Sequence, residues 1–308
     1  MTSSSYSKPL NEFPSRQTKP LAHTILDAIF ACRLHVSVFT LAAVWGWSRM
    51  FSTTVLAEDY LIAPLIITCI YLWNRAWDLQ EDQINCPQST QHFVRLRGPI
   101  LILAPLVGIG GIALASSRGP VLAAIILTIV LLVGFAYSAP MLPGLPGKRL
   151  KEFYLIKNLT SALGWIVLVT LYPALHAGIA LQAGFLLGAA ILFIGVWSVE
   201  IIWDIRDLEG DQQAGVATLP NILGPAKTAY WIGALSLIST AMVLIGLKLD
   251  LLAPVWFLAL SNNILVTCWV SLGAVRLQRR RLWSHGLVVA QTGLFAAAGI
   301  LAFWINAF

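Results

Sequence analysis

Nine apolar runs dominate this chain, at about 24–46, 56–77, 98–116, 120–140, 157–175, 181–203, 228–247, 251–273 and 284–306. A helix needs about 20 predominantly apolar residues to cross the hydrocarbon core of a bilayer, and each run comes close to that length. Charged residues make up only 11% of the 308, where a soluble domain carries about 25%. The expectation is an all-α, polytopic membrane bundle of nine transmembrane helices. Residues 1–23 are polar and carry no apolar stretch before a cleavage site, so they are read as a disordered cytosolic tail. Residues 24–308 are read as a single transmembrane domain. Cys32, Cys69, Cys86 and Cys268 are scattered, and neither a disulfide nor a zinc site is expected from them.

Lys and Arg orient the spans, because cytoplasmic loops are enriched in both. If the N-terminus is cytosolic and the spans alternate, seventeen of the twenty basic residues fall inside, and only Arg49, Arg118 and Lys248 fall outside. The C-terminus then lies on the opposite side of the membrane.

Two acidic stretches stand at the cytosolic ends of the second and sixth spans. The first is "NRAWDLQED", residues 74–82, with Asn74, Asp78 and Asp82 spaced by fours. The second is "WDIRDLEGDQQAGVATLP", residues 203–220, with Asp204, Asp207 and Asp211 three and four apart. On a helix, such spacings stack side chains on one face. Seven of the 14 acidic residues fall in these two stretches. They sit at helix C-termini, where the dipole disfavours anions by about 0.3–1 kcal/mol each. Something cationic must offset them, either nearby Lys and Arg or a divalent metal. Mg²⁺ takes oxygen ligands and is commonly held by one or two carboxylates plus substrate phosphates. Two opposing rows therefore suit Mg²⁺ bridging a diphosphate, with Asn74, Asp78, Asp82, Asp204, Asp207 and Asp211 as candidate metal ligands. Asp78 and Asp207 lie 129 residues apart, as do Asp82 and Asp211. That offset suggests two pseudo-repeated four-helix halves plus one helix, and repeated halves commonly place a site at their interface.

A Pro- and Gly-rich loop, "AYSAPMLPGLPGKRLKEFYLIKNL" at 136–159, joins the fourth and fifth spans. Positive-inside topology accounts for part of its charge. Lys148, Arg149 and Lys157 are candidate phosphate contacts beyond that role, with Lys151 ranked below them. Glu200 lies inside the sixth span, and an intramembrane acid is a functional candidate by default. Trp73, Trp77, Trp197 and Trp203 flank the two rows. Each is either part of an interfacial belt or a wall able to stabilise a cation.

These motifs resemble the UbiA superfamily of intramembrane prenyltransferases over nearly the whole chain, from about 25 to 300. Asn74, Asp78 and Asp82 match its N-D-x-x-D-x-x-x-D signature. Asp204, Asp207 and Asp211, followed by Gly215, Thr218, Leu219 and Pro220, match its D-x-x-D-x-x-x-D and G-x-x-T-L-P. Tyr137 and "KN" at 157–158 resemble the region between. Arg75 replaces the family's second Asp, the Arg-Pro after the first motif is absent, and the loop before Lys148 has an extra Pro-Gly stretch. Arg95 or Arg97 is the candidate basic group in place of the missing arginine.

The resemblance implies a UbiA-like fold and an Mg²⁺-dependent transferase that ionises a polyprenyl diphosphate and passes the prenyl group to an aromatic or lipid-like acceptor. Asp78, Asp82, Asp207, Asp211 and Glu200 would carry catalysis, with Glu200 binding the acceptor or taking its proton. Arg97, Lys148, Arg149 and Lys157 would hold the diphosphate, and Trp73, Trp77, Tyr137, Trp197 and Trp203 would wall the prenyl and acceptor pocket. No nucleic-acid partner is expected. Two other readings stand beside this one: a terpene cyclase of the same superfamily, and a cation transporter. Against the transporter, the acids cluster at one membrane face, whereas transport sites usually lie near the midplane.

Overall fold

The computed structural model describes residues 33–85, 87–273 and 281–307. The proposed tail and the start of the first apolar run lie outside the described residues. Every regular element among the described residues is helical: α1 (Leu34–Met50), α2 (Asp59–Trp77), α3 (Leu79–Asn85), α4 (Pro87–Arg118), α5 (Val121–Ser138), α6 (Ile156–His176), α7 (Ala183–Arg206), α8 (Leu208–Gln213), α9 (Leu219–Leu223), α10 (Pro225–Lys248), α11 (Phe257–Gly273) and α12 (Arg281–Ala307). Seven of them, α4 to α7 and α10 to α12, carry stretches long and apolar enough to cross a membrane. α1 and α2 form where the other two spans were expected but fall short of that measure. α1 has 17 described residues, and α2 has Asp59 near one end and Asn74 and Arg75 near the other.

Side chains such as Ile102, Leu122, Leu237 and Ile264 point out of the bundle. In lipid such a surface is solvated, which explains helices that are apolar almost all round. Inside, α1, α2 and α6 share a core built on Val44, Ile62, Ile66 and Leu168. α7, α10, α11 and α12 share another built on Ile202, Ile232, Val266 and Leu287. Close helix approach depends on small residues. At Gly46 of α1 a Cβ would lie 2.7 Å from the backbone oxygen of Phe295 on α12.

Three local features position the site. First, α6 widens into a π-turn over Val167–Leu171, just before Pro173. Proline has no N–H to give the preceding turn, and such bulges relieve that mismatch. Second, the end of the bundle away from the acidic rows is closed by a buried polar cluster. Asp59 Oδ1 lies 2.8 Å from His176 Nδ1, and Tyr172 stacks on the His176 ring. Third, the acidic rows do not run along one unbroken helix, as the spacing suggested. The chain turns at Asp78 (φ −90°, ψ 19°) and at Asp207 (φ −96°, ψ 12°), in the sparsely allowed region used by turns and active sites. α2 and α7 end there, and the short helices α3 and α8 depart. The two breaks match in backbone geometry and lie at equivalent places in the two motifs. α3 and α8 then meet, with Gly210 N–H donating to Asn85 Oδ1 at 3.2 Å.

Candidate active site

A cavity of about 420 Å³ opens between α2, α5, α6 and α7, and both acidic rows face it. Asn74, Asp78 and Asp82 line one side. Asp204, Asp207 and Asp211 line the other, with Glu200 deeper along α7. Lys157, Tyr137 and Trp203 also line it. Ile129, Val133, Leu163 and Val167 give the cavity an apolar flank between α5 and α6. It is thus charged at one end and greasy along one side.

Each row is met by the protein's own cations. Lys151, only 4% exposed, reaches Asp78 Oδ1 at 2.8 Å and bonds Glu81. Arg149 bonds Glu81 Oε1 and Glu152 Oε1, both at 2.7 Å, and stands 3.8 Å from Asp78. Arg75 lies 3.0 Å from Asp82 and over the Phe93 ring. In the second row, Lys157 bridges Asp204 (2.8 Å) and Asp211 (2.7 Å), and Arg206 Nε bonds Asp207 Oδ1 at 2.8 Å. Polar side chains finish the rows. Ser138 donates to Asp78 Oδ2 at 3.0 Å, Asn158 to Asp204 Oδ2 at 2.8 Å, and Ser161 to Glu200 Oε1 at 2.8 Å. With Nδ2 as donor, Asn74 reaches Gly134 O and Ser138 Oγ.

Burial works against the charge on these acids even so. Burial pushes the Asp78 carboxyl up to about 6 although Lys151 pulls it down. Burial likewise pushes Asp211 up to about 7 against the pull of Lys157. Glu81 goes the other way: burial alone would raise it, but Lys151 and Arg149 together hold it below the ordinary glutamate value.

The donor set is oxygen-only and fits a hard divalent cation. Among the described residues, no three acidic, histidine or cysteine side chains form a ready metal cage. The two rows instead line one cavity. That arrangement suits Mg²⁺, which keeps several waters and completes its shell with substrate phosphates.

Several candidate residues stand apart from the cavity lining. Lys148 is largely exposed and pairs with Glu152 at 3.6 Å. Arg97 donates from Nε to Ala76 O at 3.0 Å and lies over the Trp77 ring. Trp73 stacks on Phe135 and donates to its carbonyl, and Trp197 packs on Phe193. Trp77 and Arg149 also lie outside the lining, though Arg149 reaches the first row. The sequence reading ranked Lys151 too low and missed Arg33, Arg75, Arg206, Ser138, Asn158 and Ser161 as neighbours of the cavity or its acids. The place of Arg75 inside the first motif and the "KN" pair at 157–158 were the signals that pointed to any of them.

A model of the UbiA prenyltransferase family matches residues 36–287. Homogentisate geranylgeranyltransferase of Hordeum vulgare is 26% identical over 219 residues, 64% of this chain and 52% of its own. Digeranylgeranylglyceryl phosphate synthase of Sulfolobus acidocaldarius is 29% identical over 196 residues, 63% of this chain and 64% of its own. The chain thus spans about half to two thirds of the length of these curated relatives. A UbiA homolog from Archaeoglobus fulgidus, solved bound to GPP and Mg²⁺, superposes with a TM-score of 0.67. It is 14% identical, with 90% of this chain and 99% of that one covered. That likeness establishes a shared fold.

Proposed function

Because the chain belongs to the UbiA prenyltransferase family, we propose that it is an Mg²⁺-dependent intramembrane prenyltransferase acting on a polyprenyl diphosphate. The observation that carries this reading is the cavity itself. Two carboxylate rows, the buried Lys151 and the partly buried Lys157 stand at one end of it and an apolar flank runs along the side. One ligand type, a diphosphate with a long apolar tail, uses all of these at once.

Asn74, Asp78, Asp82, Asp204, Asp207 and Asp211 would hold the metal. When bound, Mg²⁺ would neutralise the diphosphate as the allylic C–O bond breaks, a Lewis-acid role. Lys151 already serves the first row as a counter-charge and Lys157 the second. They turn to the phosphate oxygens when the carboxylates take other partners. Ile129, Val133, Leu163 and Val167 receive the tail. Trp203 and Tyr137 present aromatic faces beside the carbon that loses its leaving group, and such faces are worth about 2 kcal/mol to a desolvated cation. The acceptor forms the new bond to that carbon and loses a proton. Glu200, held by Ser161, is the base placed to take it. The rows and the N-terminus are assigned to the cytosolic side, following the Lys and Arg distribution.

Asp78→Ala and Asp207→Ala should each abolish turnover by purified protein given geranylgeranyl diphosphate and Mg²⁺, while elution as a folded bundle is kept. Near-normal rates in either would remove that carboxylate from the site. Diphosphate release that requires an acceptor supports transfer. A cyclic hydrocarbon formed without acceptor would instead make the protein a cyclase.

A further inference from the structure

A second, narrower cleft of about 80 Å³ lies behind the catalytic cavity, between α1, α7, α11 and α12. The two spaces share one wall, made of Trp165, Glu200 and Trp203. The cleft is otherwise apolar, with rings from Phe39, Trp47, Trp256 and Phe295. Its polar exceptions are Asn262, Asn263 and Gln291. Asn263 is spent on Ser239 Oγ (3.0 Å) and Thr240 Oγ1 (3.2 Å). Asn262 and Gln291, which is 6% exposed, bond one another: Gln291 Nε2 donates to Asn262 Oδ1 at 3.0 Å. That single bond leaves the Asn262 amide donors and the Gln291 carbonyl over, one kind of each partner that a hydroxyl needs. Asn262 Nδ2 faces Gly195 of α7, where a Cβ would stand 3.5 Å away. Gly195 lies five residues from Glu200, about 7.5 Å along the helix, roughly the span of a substituted ring.

We propose that this cleft binds the acceptor, and that the acceptor is an uncharged, hydroxyl-bearing, largely apolar molecule whose hydroxyl is read by Asn262 and Gln291. The inference rests on the prenyl-transfer reading and adds to it the acceptor's class. Among the described residues, Glu200 is the only charged side chain in the lining. A carboxylate or phosphate acceptor would lie beside that acid in a lining that supplies no cation among the described residues. An isoprenoid tail would waste two intramembrane amides, which are costly to place in lipid. A ring held by the amide pair reaches the shared wall, where the allylic carbon arrives from the other side. The prenyl C–O bond breaks and diphosphate leaves into the cavity lined by the acidic rows, a ring carbon of the acceptor bonds to the prenyl carbon, and the proton on that ring carbon passes to Glu200.

The test uses purified full-length protein in nanodiscs, without donor, and three matched probes: 4-octylphenol, 4-octylbenzoate and octylbenzene. Octylphenol should bind about tenfold tighter than octylbenzene, the worth of a hydrogen-bonded hydroxyl, and octylbenzoate should gain no such advantage. Asn262→Leu and Gln291→Leu should each erase the phenol preference. Gly195→Leu, which fills the cleft from the α7 side, should weaken binding of both phenol and hydrocarbon. Binding of geranylgeranyl diphosphate with Mg²⁺, measured on the same samples, reports whether each variant is folded. Equal binding of the three probes to the native protein, tighter binding of the benzoate, or a phenol preference that survives in both leucine variants would overturn the proposal. Failure of the native protein to bind the diphosphate strikes the prenyl-transfer reading instead, since the probe measurements need no donor.

Discussion

The Arg75 guanidinium lies 3.0 Å from Asp82 and is sandwiched against Phe93, so one carboxylate of the first row comes with its own buried counter-charge. Glu81, just before Asp82, is no part of the motif spacing, yet it anchors the loop cations Lys151 and Arg149. Its pH dependence follows from that contact. The folded protein holds the Glu81 carboxyl below the ordinary value, which is about 4.3 in an unfolded chain. The contact therefore stabilises the fold fully above that value and loses its contribution as pH falls through the lower, folded one. Acidification below about pH 4 should lower the thermal midpoint in detergent, and Glu81→Gln should flatten that dependence. A variant as acid-sensitive as the native protein would show that other carboxylates govern it.

Asp78 and Asp207 act at the level of elements, because each ends a long helix and starts a short one. The mouth of the cavity depends on how those short helices, α3 and α8, touch. Gly210 of α8 has no room for a Cβ, which would fall within the Asn85 amide of α3. Gly210→Ala must displace Asn85 and break the 3.2 Å bond between them. Turnover should drop with the bundle intact. In an Asn85→Ala background the same substitution should cost much less, because residues in contact couple. Additive losses in that double-mutant cycle would show that the two helices do not bear on each other. The spacing of the acids revealed these rows but not the breaks in them. A three- or four-residue interval reads as one helix face until tertiary contact between α3 and α8 favours a turn at the middle residue.

At the scale of the whole molecule, all the acids of both rows, Lys151, Lys157 and the polar end of the cavity lie at one end of the bundle. The Asp59–His176–Tyr172 cluster closes the other. The proposed orientation, with the cavity end in the cytosol, rests on the distribution of Lys and Arg. A reporter fused to the C-terminus should then report the side opposite the N-terminal one, and both reporters on the same side would overturn the assignment. The membrane character, the approximate helix positions, the two opposing acidic rows and the family resemblance were all legible from 308 letters. Apolar length and motif spacing are properties of neighbouring residues, and lipid imposes the helical solution on any long apolar run. Which cation meets which acid was not legible. Lys151 lies 70 residues from Glu81, and Lys157 lies 54 from Asp211. The amide pair behind Trp203 joins α11 to α12, its members 29 positions apart in the chain. Only packing brings such groups within a few ångströms of one another. Charge pairs and hydrogen bonds are decided at that range, so the tertiary structure alone could choose these partners.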